Sequence, residues 1–278
     1  MTTSTPRLTV ALTFDHDAFS DSVRRGDPVV KFSHGEFGPR VGVPRILEVL
    51  ATQGIPSTWF VPGHTLETFP DSVAAVVDGG HELASHGWYH EDFAELSVDE
   101  QRSILSRSME ALTAAGGGTA PTGWRAPYWS LGERTLELVE EAGFQYDSSL
   151  MWGDYELSRV RHGDRHTVAE GTRFGHAGTL IEVPVYWAMD DWPQFEPNDS
   201  GRDGLVAPSK VLEIWLGELN YAYEHAPGGL LMVTMHPECI GRGHRMAMLE
   251  QFIEAAAGLE GVVFDRLDAY IARAGSTN

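Results

Sequence analysis

From residue 8 onward, short apolar runs alternate with longer helix-like segments, the order expected of βα units around a parallel sheet. Apolar runs at residues 8–14 and 57–62 read as the first two strands, and further strands are expected at 81–85, 123–126, 144–148, 180–186, 230–235 and 261–264. Between the first two, Val43, Ile46, Leu47 and Leu50 recur at offsets of three and four and Gly54 follows, which predicts a helix over 43–53. Ser97 and Glu100 open another helix with the spacing of a capping box, and 132–142 and 208–224 supply two more. The pattern predicts an α/β fold, and the chain of 278 residues suits a single β/α barrel. The expected division is a disordered tail over 1–6, the barrel over 7–270 and a second tail over 271–278.

The net charge of -20 opposes binding to nucleic acid or to an anionic membrane, both of which would repel such a surface. With Cys239 as its one cysteine, the chain can form no internal disulfide and no cysteine-rich zinc site. Residues 1–9 lack an apolar signal-peptide core and no apolar run is long enough to span a bilayer, so the expected location is cytoplasmic. Enzymes of this size often assemble symmetrically, and a homo-oligomer is expected. Three weakly patterned stretches, 20–40, 151–178 and 190–207, follow expected strands and read as ordered loops over the catalytic face; Phe32, Trp152, Tyr155 and Trp192 favour packing there.

Every cluster of ionisable residues comes at or just past the end of an expected strand. Asp15, His16 and Asp17 follow the first, His86 and His90 the third, Arg125 the fourth, and His236 a later one. In parallel β/α architectures those ends meet on one face, where active sites form. His86 and His90 are four residues apart, the spacing that places two imidazoles on one face of a helical turn. Two histidines and one carboxylate can hold a divalent metal with a position left open, and a second carboxylate is then free to act as a base. Such a ligand set accepts zinc, cobalt, manganese, nickel or iron, with zinc first.

These residues carry a resemblance. Thr13-Phe14-Asp15-His16-Asp17 resembles the Thr-Phe-Asp-Asp-Gly motif of the polysaccharide deacetylases (NodB type, carbohydrate esterase family 4). His86 to His90 matches their paired-histidine motif, and Arg125-Ala126-Pro127-Tyr128 their Arg-x-Pro-Tyr. His236 in Val233-Thr234-Met235-His236-Pro237 resembles their late strand-end histidine. The resemblance implies an irregular barrel of the NodB type and a metal held by Asp17, His86 and His90. It further implies Asp15 as general base, Arg125 holding that base, His236 as general acid, and the Tyr128 backbone N–H assisting the oxyanion. Asp190-Asp191-Trp192 loosely resembles a further motif, in which an acid orients the catalytic histidine; capping the next loop is the other reading. Glu36, Trp88 and Asp191 are candidate substrate contacts.

The chain departs from the family pattern in two places: His16 separates the acidic pair, and Gly87 stands where Ser or Thr is usual. With Gly35 to Pro44 and the His236-Pro237-x-x-Ile240-Gly241-Arg242 run, this is similar to an intracellular branch containing peptidoglycan-deacetylase-like proteins, cyclic imide hydrolases and allantoinases. Allantoinase-like members tend to lack the metal triad, whereas Asp17, His86 and His90 are all here. The expected activity is therefore metal-dependent hydrolysis of a non-peptide carbon–nitrogen bond, in a small cyclic imide or ureide. The alternatives are N-deacetylation of an acetamido sugar or glycan and, third, a non-catalytic binding protein; the joint presence of Asp15, Arg125 and His236 speaks against the third.

Overall fold

In a computed structural model of the chain, residues 6–197 and 205–275 are described. The first strand, β1 (Leu8–Asp15), is buried along its whole length, as a strand covered on both faces must be. It is followed by β2 (Thr58–Val61), β3 (Glu82–Ser85), β4 (Gly123–Trp124), β5 (Tyr146–Asp147), β6 (Ser158–His162), β7 (Arg165–Thr167), β8 (Gly171–Arg173), β9 (His176–Glu182), β10 (Gly229–Met235) and β11 (Val262–Phe264). A nine-stranded sheet runs in the order β10-β1-β2-β3-β4-β5-β9-β6, with β11 beside the start of β1. Its pairings are parallel except for β6 with β9. The sheet curls until its ends approach. A bridge between Asp190 and Thr234 and a hydrogen bond from Leu230 N to Tyr155 O, 2.9 Å, span the seam.

Register decides where the chemistry collects. Phe14 pairs with Met235, Asp15 with Phe60, Val61 with Ser85 and Ser85 with Trp124. Asp15, His86, Arg125 and His236 therefore leave one rim of the barrel. The other end is plugged by the C-terminal helix Leu267–Gly275, whose Leu267, Tyr270 and Ile271 join Ala11, Phe60, Ala84 and Met232 in an interior cluster. Glu82 and Thr58, at the base of β3 and β2, accept hydrogen bonds from the Asp268 and Leu267 N–H groups of that helix. Outside the sheet, the helices Val43–Gln53, Pro208–His225 and Gly243–Ala257 bury Ile46, Leu50, Trp215, Leu219, Leu249 and Phe252 against it.

The helix at 43–53 lies where its periodicity places it and ends at Gly54 in a left-handed cap with φ 65°. The Ser97–Glu100 capping box is present at the head of Val98–Ala115. The strand expected at 180–186 is shifted to His176–Glu182, although Val183 N and Val185 N continue the hydrogen bonding to Asp147 O and Leu150 O. The terminal helix carries the fold past the boundary expected at residue 270.

The loop reading of 20–40 is corrected. This stretch forms the helices Ser20–Arg25 and Val29–Phe37 and a π-turn, Gly38–Gly42. Its packing face is glycine rather than leucine. A Cβ on Gly35, Gly38 or Gly42 would collide with Ala18 and Phe19, with Glu238, or with Pro237, so the periodic apolar signal is missing by necessity. The stretch 151–178 holds β6, the exposed β7–β8 hairpin and the start of β9. Of the third stretch, 198–204 lies outside the described residues; the rest contains the short helix Trp192–Phe195.

Candidate active site

Thr13-Phe14-Asp15-His16-Asp17 is extended, so side chains alternate. His16 turns outward and bonds Ser72 Oγ through Nε2 at 3.0 Å. Asp15 and Asp17 face the rim together: Asp15 Oδ2 lies 3.7 Å and Asp17 Oδ1 3.5 Å from His86 Nε2. Asp17 Oδ2 is 3.3 Å from His90 Nε2 and 3.8 Å from His236 Nε2.

The two histidines meet without a helix, which corrects the expected helical turn. Gly87 has φ 71° and His90 φ 57°, so the segment is a tight irregular loop. Glu91, which sequence reasoning missed, holds the loop by accepting from Trp88 N at 2.9 Å, and Ser108 Oγ donates to Gly87 O at 3.0 Å. His86 Nδ1 lies 2.9 Å from Arg125 O. A carbonyl only accepts, so Nδ1 carries the proton and Nε2 turns a lone pair to the rim.

The ligand atoms of Asp17, His86 and His90 all lie within 4.8 Å of one another. Asp17 Oδ1 is buried with no hydrogen-bond partner. Burial pushes the Asp17 carboxyl up to about 8 and His86 down to about 4, and it holds His90 well below the usual imidazole range. Neutral imidazoles beside a buried, orphaned carboxylate oxygen fit a divalent cation, which supplies the missing counter-charge.

Asp15 is arranged differently. Arg125, fully buried, donates from Nη1 to Asp15 Oδ1 at 2.6 Å and to Thr13 Oγ1 at 3.1 Å. Burial alone would raise the Asp15 carboxyl, but the charges of Arg125, His86 and His236 and the Arg125 hydrogen bond outweigh it and hold the group below its usual range. Asp15 therefore stays ionised, with Oδ2 facing the cluster.

His236 donates from Nδ1 to Asp191 Oδ1 at 2.7 Å, while its backbone N–H lies 3.1 Å from both Asp191 oxygens. Burial would lower this imidazole, yet the Asp191 hydrogen bond and the charges of Asp191, Asp190 and Asp17 raise it well above 6.5. Asp190, Asp191 and His236 also group within ligand distance of one another. The short Asp191 bond, and the Trp192 N–H donated to Asp190 Oδ1 at 2.8 Å, account for them as an ion pair with a turn cap.

The three candidate substrate contacts lie in different surroundings. Asp191 is buried behind His236. Trp88 is 3% exposed; its ring fills the space over Gly63, and Arg107 Cζ lies 3.3 Å from its centre. Glu36 pairs with Arg40 at 2.9 Å on the surface of its own helix. Tyr128 has φ 57° and ψ 6°, a strained turn at the rim. Its ring packs edge-on to His90 at 4.4 Å, and its hydroxyl accepts from Arg24 at 3.1 Å.

Residues 2–146 match the family model described as polysaccharide deacetylase. The chain is 32% identical over 242 residues to the peptidoglycan deacetylase of Helicobacter pylori, covering 83% of this chain and 82% of that one. A Mycobacterium smegmatis crystal structure described as a polysaccharide deacetylase superposes with TM-score 0.84 at 35% identity, covering 99% of this chain and 92% of the other. The solved Puue allantoinase shares the fold, with TM-score 0.83 at 23% identity over 99% of this chain and 92% of its own. The chain belongs to the polysaccharide deacetylase family, metal-dependent hydrolases of carbon–nitrogen bonds.

Proposed function

We propose that the chain is a cytoplasmic hydrolase of a small cyclic imide or ureide, with Asp17, His86 and His90 as metal ligands. The observation that carries the chemistry is the division of the two carboxylates: Asp15 is held ionised by Arg125, while Asp17 is orphaned between two imidazoles. A divalent ion held by Asp17, His86 and His90 would polarise the scissile carbonyl and acidify the attacking water.

Asp15 Oδ2, left free because Oδ1 is tied to Arg125, takes the proton of that water. The oxygen adds to the carbonyl carbon, and the Tyr128 backbone N–H, presented by its left-handed turn, assists the oxyanion. As the carbon–nitrogen bond breaks, His236 gives the proton on Nε2 to the departing nitrogen, and Asp191 fixes the ring from Nδ1.

Two aromatic rings pack directly on the cluster, Tyr128 on His90 at 4.4 Å and Trp192 on His236 at 5.1 Å, and would lie against a small ring held there. The name of the Helicobacter pylori relative favours a second reading, N-deacetylation of an acetamido sugar. Purified protein assayed with added zinc or cobalt on a panel of cyclic imides, ureides and N-acetylated sugars separates the two. Turnover confined to the acetylated sugars would overturn the first reading.

A further inference from the structure

Arg125 is gripped from below as well as from Asp15. The turn after β5 accepts two of its donors, Nε to Ser148 O at 3.1 Å and Nη2 to Ser148 Oγ at 3.0 Å. Ser149 Oγ accepts from Ala126 N, the peptide next to Arg125, at 2.8 Å. That turn in turn rests on two acids: Ser149 Oγ donates to Asp147 Oδ1 at 2.7 Å, and Glu182 Oε1 accepts from Ser149 N at 3.2 Å and Leu150 N at 2.9 Å.

Asp147 and Glu182 are register partners across β5 and β9, and both are fully buried. Two ionised carboxylates facing each other across paired strands would repel, and no solvent is there to screen them. Each has one oxygen satisfied by the turn. The other two, Asp147 Oδ2 and Glu182 Oε2, are buried and have no hydrogen-bond partner. One proton between them satisfies both.

We propose that Asp147 and Glu182 form a carboxyl pair sharing a single proton, and that this pair is a positioning device which sets the Ser148–Ser149 turn and thereby aims Arg125 at Asp15. The proton lies between Asp147 Oδ2 and Glu182 Oε2, the two orphaned oxygens. Burial first, then the Asp147 charge and hydrogen bond, raise Glu182 well above the usual carboxylate range. Asp147 is raised by burial to about 6, against the pull of hydrogen bonds from Glu182 and Ser149. Arg125, just past β4, is the charged group that acts on Asp147; the turn presents neutral hydroxyls and peptide N–H groups.

The catalytic consequence rests on Asp15 being the base. The pair and its hold on Arg125 do not, so they are tested without substrate. Infrared spectra of the full-length chain at neutral pH should show a buried protonated carboxyl band that Glu182→Gln removes. Hydrogen exchange at Arg125 Nε–H, followed by NMR, should stay slow in Glu182→Gln, whose amide still donates to Asp147. It should quicken about tenfold in Glu182→Ala, the scale of one lost hydrogen bond. If Glu182→Ala does not fold, Ser149→Ala cuts the link from the pair to Ala126 and should quicken the same exchange while keeping the band. Absence of the band from the wild type, or exchange unchanged in the variant that folds, overturns the proposal. With substrate, Glu182→Ala should lower kcat at unchanged KM and Glu182→Gln should restore it. An unchanged kcat with Arg125 loosened would instead remove Asp15 from the role of base.

Discussion

Asp15→Asn tests the electrostatic design of the rim directly. Arg125 is 0% and Asp15 3% exposed, and among the described residues their bond of 2.6 Å is the guanidinium's only carboxylate contact. Breaking a buried ion pair by neutralising one partner costs about 3–5 kcal/mol. The introduced amide oxygen can still accept from Nη1, which recovers about 1 kcal/mol. A loss of about 2–4 kcal/mol is therefore expected, and adding Arg125→Met should restore part of it by removing the stranded charge. Urea unfolding of the two single variants, the double variant and wild type, all at the same metal loading, gives the coupling energy. Turnover by Asp15→Asn should fall by about 10²–10⁴. Asp15→Asn within about 0.5 kcal/mol of wild type, with no coupling to Arg125, would refute the reasoning.

Asp191→Asn should leave metal content intact but lower kcat about 10²-fold or more, because His236 loses its orienting acceptor. The alkaline limb of its pH–rate profile should move to lower pH, since the Asp191 carboxylate is what raises the imidazole against burial. Glu82→Gln bears on stability against pH: burial, then Asp268, raise Glu82 from 4.5 to about 7. A folded pKa above the unfolded one gives stability that is present below the unfolded value and lost as pH rises through about 7. Wild type should therefore lose roughly 3 kcal/mol relative to Glu82→Gln across that window, measured by denaturant titration at several pH values. Ser97→Ala should cost about 1 kcal/mol by removing the reciprocal cap of Val98–Ala115.

Strand positions were legible because β1, β2 and β10 are short, largely apolar runs rich in β-branched and aromatic residues. The rim residues were legible because they follow the ends of β1, β3, β4 and β10, and register then brought Asp15, Asp17, His86, His90, Arg125 and His236 together. Three things were hidden. The segment over 29–42 packs through Gly35, Gly38 and Gly42, so it carries no leucine stripe. The His86–His90 spacing fits a helical turn, yet the positive φ angles at Gly87 and His90 show that a loop delivers it; Gly87 was the available hint. The supports Thr13 and Glu182 show only as single polar residues within strands, and Glu91 and Ser148 as polar residues of loops, where spacing says nothing about partners. Asp147-Ser148-Ser149 does end a strand, and the positional rule that picked out Arg125 applies to it equally.

Metal content per chain tests the central claim most directly. Protein purified without chelator and reloaded with zinc or cobalt should hold one ion in the wild type. His86→Ala should lose that ion and Asp17→Asn should bind it weakly, while Asp15→Asn should keep it, because Asp17 carries the orphaned oxygen between the imidazoles and Asp15 is already neutralised by Arg125. Absence of a stoichiometric ion from the wild type, or its loss from Asp15→Asn but not from Asp17→Asn, would contradict the account.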